Sequence, residues 1–440
     1  MADLLAISSR IIDSGVLSEP PNRVTQELSE VGDGLAVVES FSHIWGVDTG
    51  DGLVLFDASG VLTGVEAMEA MRRWRTDRVD TLVYTHGHVD HVGGSGAVLA
   101  DAERRGYRRP TVVAHEAVHA RLDRYRLTNG WNLNINARQF GGARKSGLAL
   151  SGPVRGALGS HFVPEDSATP DVTYSDIVSL RVGDVEMELH HARGETDDHT
   201  WTWLPSKKAV FIGDLFMWNF PNAGNPQKVQ RHPGEWATAL REIMARRPEL
   251  LLPAHGLPIE GADRIVSVLD HTASALEHLI ESTLALMNQG ADLDAIIHTV
   301  SVPADVAELP YLQPFYDEPE FVVRNIWRLY GGWWDGDPSS LKPSPKTRIA
   351  AEVASLAGGA LPLAHRALEV AESGDLQLAC HLVEMAGSAA SDDKLVHEIR
   401  AEIYTRRRAE ATSLMAKGIF RGAVRESQAV VGERPEATAQ

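Results

Sequence analysis

The sequence predicts a mixed α/β domain followed by an all-helical region. Through about residue 260, short apolar runs typical of strands alternate with stretches of helical periodicity. Several of these runs end in polar clusters that contain histidine or aspartate. Beyond this point, alanine-rich helical patterns dominate. A chain of 440 residues is too long for one ordinary hydrophobic core, so we expect two or three domains.

The α/β part begins with strands and a Gly/Asp turn in "GLAVVESF" and "HIWGVDTGDGLVLFDAS". Residues 61–75 predict a helix, and "VDTLVYT" predicts a short buried strand. The strand "PTVVAH" and the helix "EAVHARLDRYRL" repeat this unit. Residues 128–170 lack apolar periodicity, so we predict an irregular segment that is functional or mobile. Strands resume with "VEMELHHA", "TWTWLPSKKAVFIGD" and "LLLPAHG".

The second half is predicted to be helical. Residues 263–288 have helical periodicity and stop at "QG". Residues 346–427 are alanine-rich, with breaks at "GGALP", "ESGD" and "GSAASDD", and a Gly/Pro/Trp connector precedes them. We therefore predict a first domain over residues 1–262, a helical domain over residues 263–427 and a flexible tail over residues 428–440.

Composition excludes several classes of partner. The chain carries 42 basic and 60 acidic residues, a formal net charge of −18. This argues against binding nucleic acid or an anionic membrane, because phosphate contact needs a basic surface.

No run approaches about 18 consecutive apolar residues, so we predict no membrane insertion. The single cysteine, Cys380, forms no intrachain disulfide, and the first residues lack a secretory pattern, so we expect a cytoplasmic location.

The stretch "YTHGHVDHVGG" follows a buried strand and contains three histidines and an aspartate. On a loop leaving a strand, the side chains of His86 and His88 can both turn toward one ion. We expect Asp90 and His91, which follow, to be able to reach a second ion nearby. Imidazole and carboxylate without thiolate favour zinc, with manganese or iron as alternatives. The alternative interpretation is a surface histidine cluster without metal, which the constrained spacing disfavours.

The motif T-H-G-H-V-D-H-V-G-G resembles the signature of the metallo-β-lactamase superfamily. This resemblance implies an αββα sandwich, an α/β fold that carries a one- or two-metal site at its sheet edges. It also implies three further ligands at strand ends downstream. Their matching positions are Glu195 in "HHARGETDDHT", Asp214 after "AVFIG" and His255 in "LLPAHGLP".

Glu195 stands where the superfamily usually carries a histidine, and this resembles the alkylsulfatase branch. The spacing of 19 residues from Glu195 to Asp214 suits that branch, although its bridging residue is usually glutamate. The stretch "FVVRNIWRLYGGWWDGDPSSLKPSP" resembles the G-W-x-D-G-N-P signature at which the alkylsulfatase dimerisation domain begins. The resemblance therefore implies a homodimer. The sterol-carrier-like domain that many members add is not expected, since the chain ends soon after the helices.

The resemblance also implies an assignment of ligands to two divalent ions. The first ion would be held by His86, His88 and Glu195, the second by Asp90, His91 and His255, and Asp214 would bridge them. A water between two such ions has its pKa lowered toward neutrality and becomes a nucleophile. Asp90 and Asp214 are therefore the residues we expect to be essential for catalysis.

An anionic substrate requires cations or hydrogen-bond donors near the metals of this acidic chain. The candidates are Lys228, Arg231, Asn219, Asn222 and Arg138, with Arg144 in the same irregular segment as Arg138. For each basic residue the alternative is an ordinary solvated charge. The alkylsulfatases carry a histidine after the bridging carboxylate that is thought to assist the leaving group. The corresponding "LFMWNFPNAG" contains none, so Asn219 and Asn222 offer only hydrogen bonds there.

Other side chains near the motifs leave alternatives open. One of the histidines that flank Glu195 is an alternative ligand, with Glu195 then in a supporting role; these are His190, His191 and His199. Four aromatic residues are candidates for an apolar pocket, with plain core packing as the simpler interpretation; they are Trp218, Phe220, Trp333 and Trp334.

Three hypotheses about function follow. The leading one is a dinuclear metallohydrolase that cleaves alkyl sulfate esters. The second is a hydrolase of another ester class on the same scaffold, such as a lactone, phosphoester, thioester or β-lactam. The third is a metal-binding, dimeric scaffold protein without turnover, which the full complement of seven candidate ligands disfavours.

Overall fold

A computed structural model describes residues 3–139 and 161–432 of the chain. Within them, one compact unit contains residues 3–134 and 161–332, and a second contains residues 135–139 and 333–432. The first unit extends past the boundary predicted after residue 262. The reason is that the helix Ala262–Asn288 buries Ile265, Leu269 and Leu276 in the same core as the neighbouring strands.

The first unit contains two sheets. Seven strands form the first sheet, in the order in which they occur along the chain: β1 (Leu28–Gly32), β2 (Leu35–Val38), β3 (Ile44–Asp48), β4 (Leu53–Phe56), β5 (Val79–Val83), β6 (Thr111–His115) and β7 (Val172–Tyr174). Six strands form the second sheet in the order β13 to β8: β8 (Ile177–Val182), β9 (Val185–Ala192), β10 (His199–Leu204), β11 (Ala209–Gly213), β12 (Leu250–Pro253) and β13 (Ile259–Glu260). Strands β4 to β7 are parallel to one another, as are β11 and β12.

The helices of the first unit lie between and after these strands. They are α1 (Leu4–Ser14), α2 (Gly64–Trp74), α3 (Val89–Val92), α4 (Ser95–Arg104), α5 (Ala117–Leu127), the first half of α6 (Asn129–Gln139), α7 (Pro233–Ala245), α8 (Ala262–Asn288), α9 (Leu293–Ile297), α10 (Ala304–Ala307) and α11 (Pro319–Gly331). The second unit holds α12 (Pro338–Leu341), α13 (Lys346–Leu356), α14 (Ala360–Glu372), α15 (Leu376–Ala389), α16 (Lys394–Glu410) and α17 (Leu414–Val431).

The two sheets pack face to face around one apolar core. Phe56 of β4 stacks on Phe211 of β11 with ring centroids 3.8 Å apart. The outer face of the first sheet is covered by α2, α4 and α5 through residues such as Met71 and Leu122. On the second sheet, α7 and α8 pack through residues such as Trp236. The αββα sandwich is therefore confirmed.

One predicted irregular region contains a helix. Helix α6 occupies residues 129–139 of the segment 128–170, where we expected no regular structure. Its sequence "NGWNLNINARQ" lacks a strong apolar stripe and is rich in poor helix formers. Burial of Asn132 and hydrogen bonds from its amide to the Thr128 carbonyl and hydroxyl oxygens stabilise it instead. Residues 140–160, including Arg144, lie outside the described residues.

The second unit is all-helical, as predicted. Its helix breaks fall at the predicted glycine- and serine-rich stretches, and Asp375, Asp393 and Ser413 cap the helices that follow. The predicted tail differs at its start, because α17 continues through residues 428–431. The remainder, residues 433–440, lies outside the described residues. Among the described helices, none has the length and apolar character needed to cross a membrane.

Candidate metal centre

The predicted ligands lie where strands end. The turn that carries the histidine motif follows β5, while Asp214 follows β11 and His255 follows β12. Glu195 lies in the turn between β9 and β10. Because parallel strands end at the same edge of a sheet, these turns converge at one end of the sandwich.

The first cluster brings together His86, His88, Glu195 and Asp214. One ligand atom from each lies within 4.8 Å of all the others. His86 Nε2 is 2.8 Å from His88 Nδ1, and His88 Nδ1 is 3.6 Å from Glu195 Oε1. Four donors at such spacing surround a volume that suits one ion.

The second cluster brings together Asp90, His91 and His255. Asp90 Oδ2 lies 3.6 Å from His91 Nε2 and 3.4 Å from His255 Nε2. Asp214 faces both clusters, because its Oδ2 is 3.8 Å from His86 Nε2 and 3.4 Å from His91 Nε2, and its Oδ1 is 3.7 Å from His255 Nε2. This is the arrangement that a bridging carboxylate requires.

Several of these atoms are buried without a protein partner. Within the described residues, His91 Nε2, Glu195 Oε2 and Asp214 Oδ1 have no hydrogen bond although they are shielded from solvent. Buried polar atoms are normally paired, so three orphaned ligand atoms in one place fit the binding of divalent cations. Imidazole and carboxylate are the donors that such cations take in proteins.

Electrostatics favour the metal-binding form in two of the four imidazoles, whereas nearby carboxylates raise the pKa of His91 and of His255 despite their burial. Burial lowers the pKa of His86 and of His88 well below the ordinary value, and neighbouring cationic groups lower it further. Both rings are therefore neutral and keep a lone pair, which is the form that binds metal. Burial raises the pKa of Glu195 to about 8. Despite burial, His91 and His255 hold the pKa of Asp214 below its usual range.

A carboxylate that the sequence analysis missed orients His91. Asp57 directly follows β4, and its Oδ2 lies 2.7 Å from His91 Nδ1. The backbone amide and the hydroxyl of Thr85 both donate to Asp57 at 2.8 Å. Asp57 adopts φ +60, a left-handed conformation that aspartate tolerates better than most residues. The sequence signal that could have identified Asp57 is its position directly after a predicted strand.

A second missed element supports the histidine turn. Asp198 Oδ2 accepts the Gly87 amide at 3.1 Å and the Arg121 Nε at 2.7 Å, and both side chains are buried. A Cβ at Gly87 would lie 2.8 Å from Arg121 Cδ and 2.9 Å from Asp198 Oδ2. The ion pair can therefore pack against the backbone between His86 and His88 only because residue 87 is glycine.

The His255 turn rests on Trp218. This residue is fully buried with φ +57, and its Nε1 donates to Leu257 O at 2.7 Å. Gly256 packs so closely on the indole that a Cβ there would lie 2.6 Å from Trp218 Cδ1. Phe220 is also core, so neither is exposed to a pocket, whereas Trp333 and Trp334 are exposed on the second unit.

The alternative ligand histidines have other partners. His199 Nε2 accepts the amide of Asp214, and His190 stacks on Trp201 at 4.0 Å. His191 stacks on His115 at 3.7 Å and faces the Asp197 carbonyl. Glu195, rather than one of these rings, lies beside His88.

The anion-binding candidates are placed differently from one another. Arg231 and Asn222 both contact the Glu195 carboxylate. Lys228 lies over the Phe162 ring at 5.9 Å, close enough to Glu195 and Asp90 for their charges to act on it, and burial lowers its pKa to about 8. The side-chain amide of Asn219 donates to the carbonyl of Met217 in a local turn.

The last anion-binding candidate, Arg138, is exposed and packs beside Gly422 of α17 in the second unit.

Tyr316 is a further polar residue that the sequence did not predict, since it lies some 60 residues beyond the last candidate ligand. Burial raises the pKa of its phenol well above the usual value, and Glu195 and Asp90 add to this effect. The charges of two candidate ligands therefore act on Tyr316.

Two family descriptions match this chain. Residues 37–255 match the "Metallo-beta-lactamase superfamily" and residues 292–429 match "Alkyl sulfatase dimerisation". The chain therefore combines a metallo-β-lactamase domain with an alkylsulfatase dimerisation domain. The resemblance inferred from "THGHVDHVGG" and "GGWWDGDP" is thereby confirmed.

Individual relatives of this superfamily member come from bacteria and yeast. A linear primary-alkylsulfatase from Pseudomonas sp. is 25% identical over 82% of the chain and 69% of its own length. The alkyl/aryl-sulfatase BDS1 of Saccharomyces cerevisiae is 22% identical over 77% of the chain, and an (R)-specific secondary-alkylsulfatase from Pseudomonas sp. is 24% identical over 77%. The chain spans 54% and 53% of the lengths of these two.

A solved structure shares the fold. The stereoselective inverting sec-alkylsulfatase from Pseudomonas sp. superposes with a TM-score of 0.80 at 21% identity. The match covers 91% of the chain and 66% of that protein. Both units of the chain therefore have counterparts in known architecture.

Proposed function

We propose that the protein is a dinuclear metal-dependent hydrolase of alkyl sulfate esters. The observation that carries this proposal is the pair of adjoining ligand clusters with Asp214 facing both. The match to alkylsulfatase dimerisation and the alkylsulfatase relatives support the substrate class.

Two divalent ions, with zinc expected before manganese or iron, would be held by the residues predicted from sequence. These are His86, His88 and Glu195 for one ion, Asp90, His91 and His255 for the other, and Asp214 for both. Ions in such a site supply Lewis-acid stabilisation of developing charge and acidify a water nucleophile at neutral pH.

The chain's own residues contribute binding and charge compensation. In a protein of net charge −18, a sulfate ester needs local positive charge, and Lys228 offers an ammonium group within electrostatic reach of Asp90 and Glu195. Hydrolysis consumes one water, breaks either the C–O or the S–O bond and yields an alcohol and hydrogen sulfate. Asp90 and Asp214 position the reacting centre through their places in the ligand clusters.

We also propose a homodimer built through residues 292–429 and a cytoplasmic location. The matched dimerisation family supports the first part of this proposal. We further propose that the two family domains are residues 1–262 and 263–427, a division that differs from the compact units because α8 packs in the core of the first unit. Sedimentation at several concentrations tests the dimer, and a monomer at all of them would contradict it.

The proposed activity is tested by metal analysis followed by sulfate release from medium-chain primary and secondary alkyl sulfates. Release that depends on the metal is the expected result. Absence of sulfate from metal-loaded protein would overturn the sulfatase proposal. A panel of lactones, phosphoesters, thioesters and β-lactams would then identify another hydrolase, and metal-loaded protein without activity on any of these esters would indicate a metal-binding scaffold.

A further inference from the structure

Glu195 is held on one side by two donors. Arg231 Nη1 lies 3.0 Å from Glu195 Oε1 and also donates to the backbone carbonyl of Glu195. The side-chain amide of Asn222 donates to the same Oε1. The side chains of Arg231 and Glu195 are only 2% and 3% exposed. The carboxylate therefore has one oxygen fixed by the protein, while Oε2 has no partner among the described residues.

Arg231 is itself held by the helix α11. The amide of Asn325 brackets the Arg231 backbone, since Oδ1 accepts from the Arg231 amide at 3.3 Å and Nδ2 donates to its carbonyl at 3.1 Å. Gln230 donates to Asn325 Oδ1 at 2.9 Å and accepts from Arg328 at 2.9 Å. Asn325 is buried, so these bonds fix the strand-to-helix connection on which Arg231 lies.

The charge of the first cluster explains why Glu195 needs the contacts with Arg231 and Asn222. The first cluster contains two buried carboxylates, Glu195 and Asp214, where an imidazole ligand would have been neutral. A buried carboxylate is costly unless it is paired and hydrogen-bonded. A charge-assisted contact from a guanidinium meets this need and sets the direction of the second carboxylate oxygen.

We propose that Arg231, fixed in place by Asn325, is a positioning residue that orients Glu195 for metal binding. The proposal rests on the proposed metal centre and gives Arg231 a role other than the anion contact expected from sequence. It also gives α11, which lies within the region that matches the dimerisation family, a part in building the metal site. Outer partners of metal ligands are worth about 10–100-fold in metal affinity.

The test compares metal binding by the full-length chain and three variants. Arg231→Lys keeps the charge but shortens the reach, so one ammonium cannot replace the guanidinium contacts. Asn325→Ala leaves every charge in place. Arg324→Ala, on the same helix but exposed and paired with Glu320, is the matched control. Zinc content is measured after equilibrium dialysis against a series of chelators, with circular dichroism to verify folding.

We expect Arg231→Lys and Asn325→Ala to bind one of the two zinc ions about tenfold or more weakly. Arg324→Ala should bind like the wild type. An anion-binding role for Arg231, whose Nε has no partner within the described residues, predicts instead a raised KM with unchanged zinc affinity. A raised KM with unchanged zinc affinity in Arg231→Lys would overturn the inference. Wild-type zinc affinity in Asn325→Ala would overturn it as well. A wild-type chain that binds no zinc would overturn the proposed function as well.

Discussion

The carboxylate of Asp57 lies 2.7 Å from Nδ1 of His91, with the Thr85 hydroxyl on the same oxygen. Asp57 accepts a proton held on Nδ1 of His91, which leaves Nε2 as the nitrogen whose lone pair a metal would take. Nε2 is the atom that faces Asp90 and Asp214. The ligand clusters therefore depend on a residue that would not itself touch a metal.

Asp57→Asn should weaken metal binding by about 10–100-fold. Asparagine tolerates the left-handed backbone at this position, but its amide hydrogens favour an unprotonated Nδ1, which puts the proton of His91 on Nε2. Zinc affinity by chelator competition measures the effect. Asp263→Asn, at a side chain that is 95% exposed, is the control. Unchanged zinc affinity in Asp57→Asn would contradict the role of this pair.

Gly87→Ala should destabilise the fold by about 1–3 kcal/mol, since the added methyl group overlaps the buried pair of Arg121 and Asp198. The free energy of unfolding in denaturant measures this. Gly130→Ala is the control, because nothing lies within 4 Å of its added Cβ. Equal stability of the two variants would show that the turn between His86 and His88 relaxes without cost.

Asp90→Ala should abolish ester hydrolysis while leaving the fold intact. Asp90 contributes an oxygen to the second cluster, and its side chain is 25% exposed, so its removal leaves no large buried cavity. Initial rates and thermal melting measure the two effects. Asp51→Ala, at a side chain that is 67% exposed, should keep full activity. Retained hydrolysis in Asp90→Ala would remove Asp90 from the site.

Cys380 should report unfolding of the helical unit. Burial raises the pKa of its thiol to about 11, so at pH 8 the native thiolate is on the order of 100-fold scarcer than in the unfolded chain. Iodoacetamide labelling should be slow in buffer and fast in denaturant. As the chain's single cysteine, it needs no other thiol removed. Equal rates in both states would contradict the burial of this thiol.

The sequence predicted which side chains gather in the two clusters, but not that Asp57 and Asn325 contact His91 and Arg231. The ligands follow strands or turns of recognisable pattern, so their chemistry is visible locally. The contacts that support the clusters join residues distant in sequence: Asp57 is 34 residues from His91, Arg121 is 77 from Asp198, and Asn325 is 94 from Arg231. No local pattern carries such pairings. Tertiary packing also explains two other differences. Helix α6 forms although its composition predicts no helix, and α8 belongs to the first unit because its apolar residues are buried in that unit's core.

Sulfate release titrated with zinc tests the central proposal most directly. Metal-depleted protein is incubated with a medium-chain alkyl sulfate while zinc is added in increments, and inorganic sulfate is measured. We predict that release is absent at first, rises with zinc and saturates near two equivalents per chain, as the two ligand clusters require. Protein that holds two zinc ions and releases no sulfate would contradict the proposal.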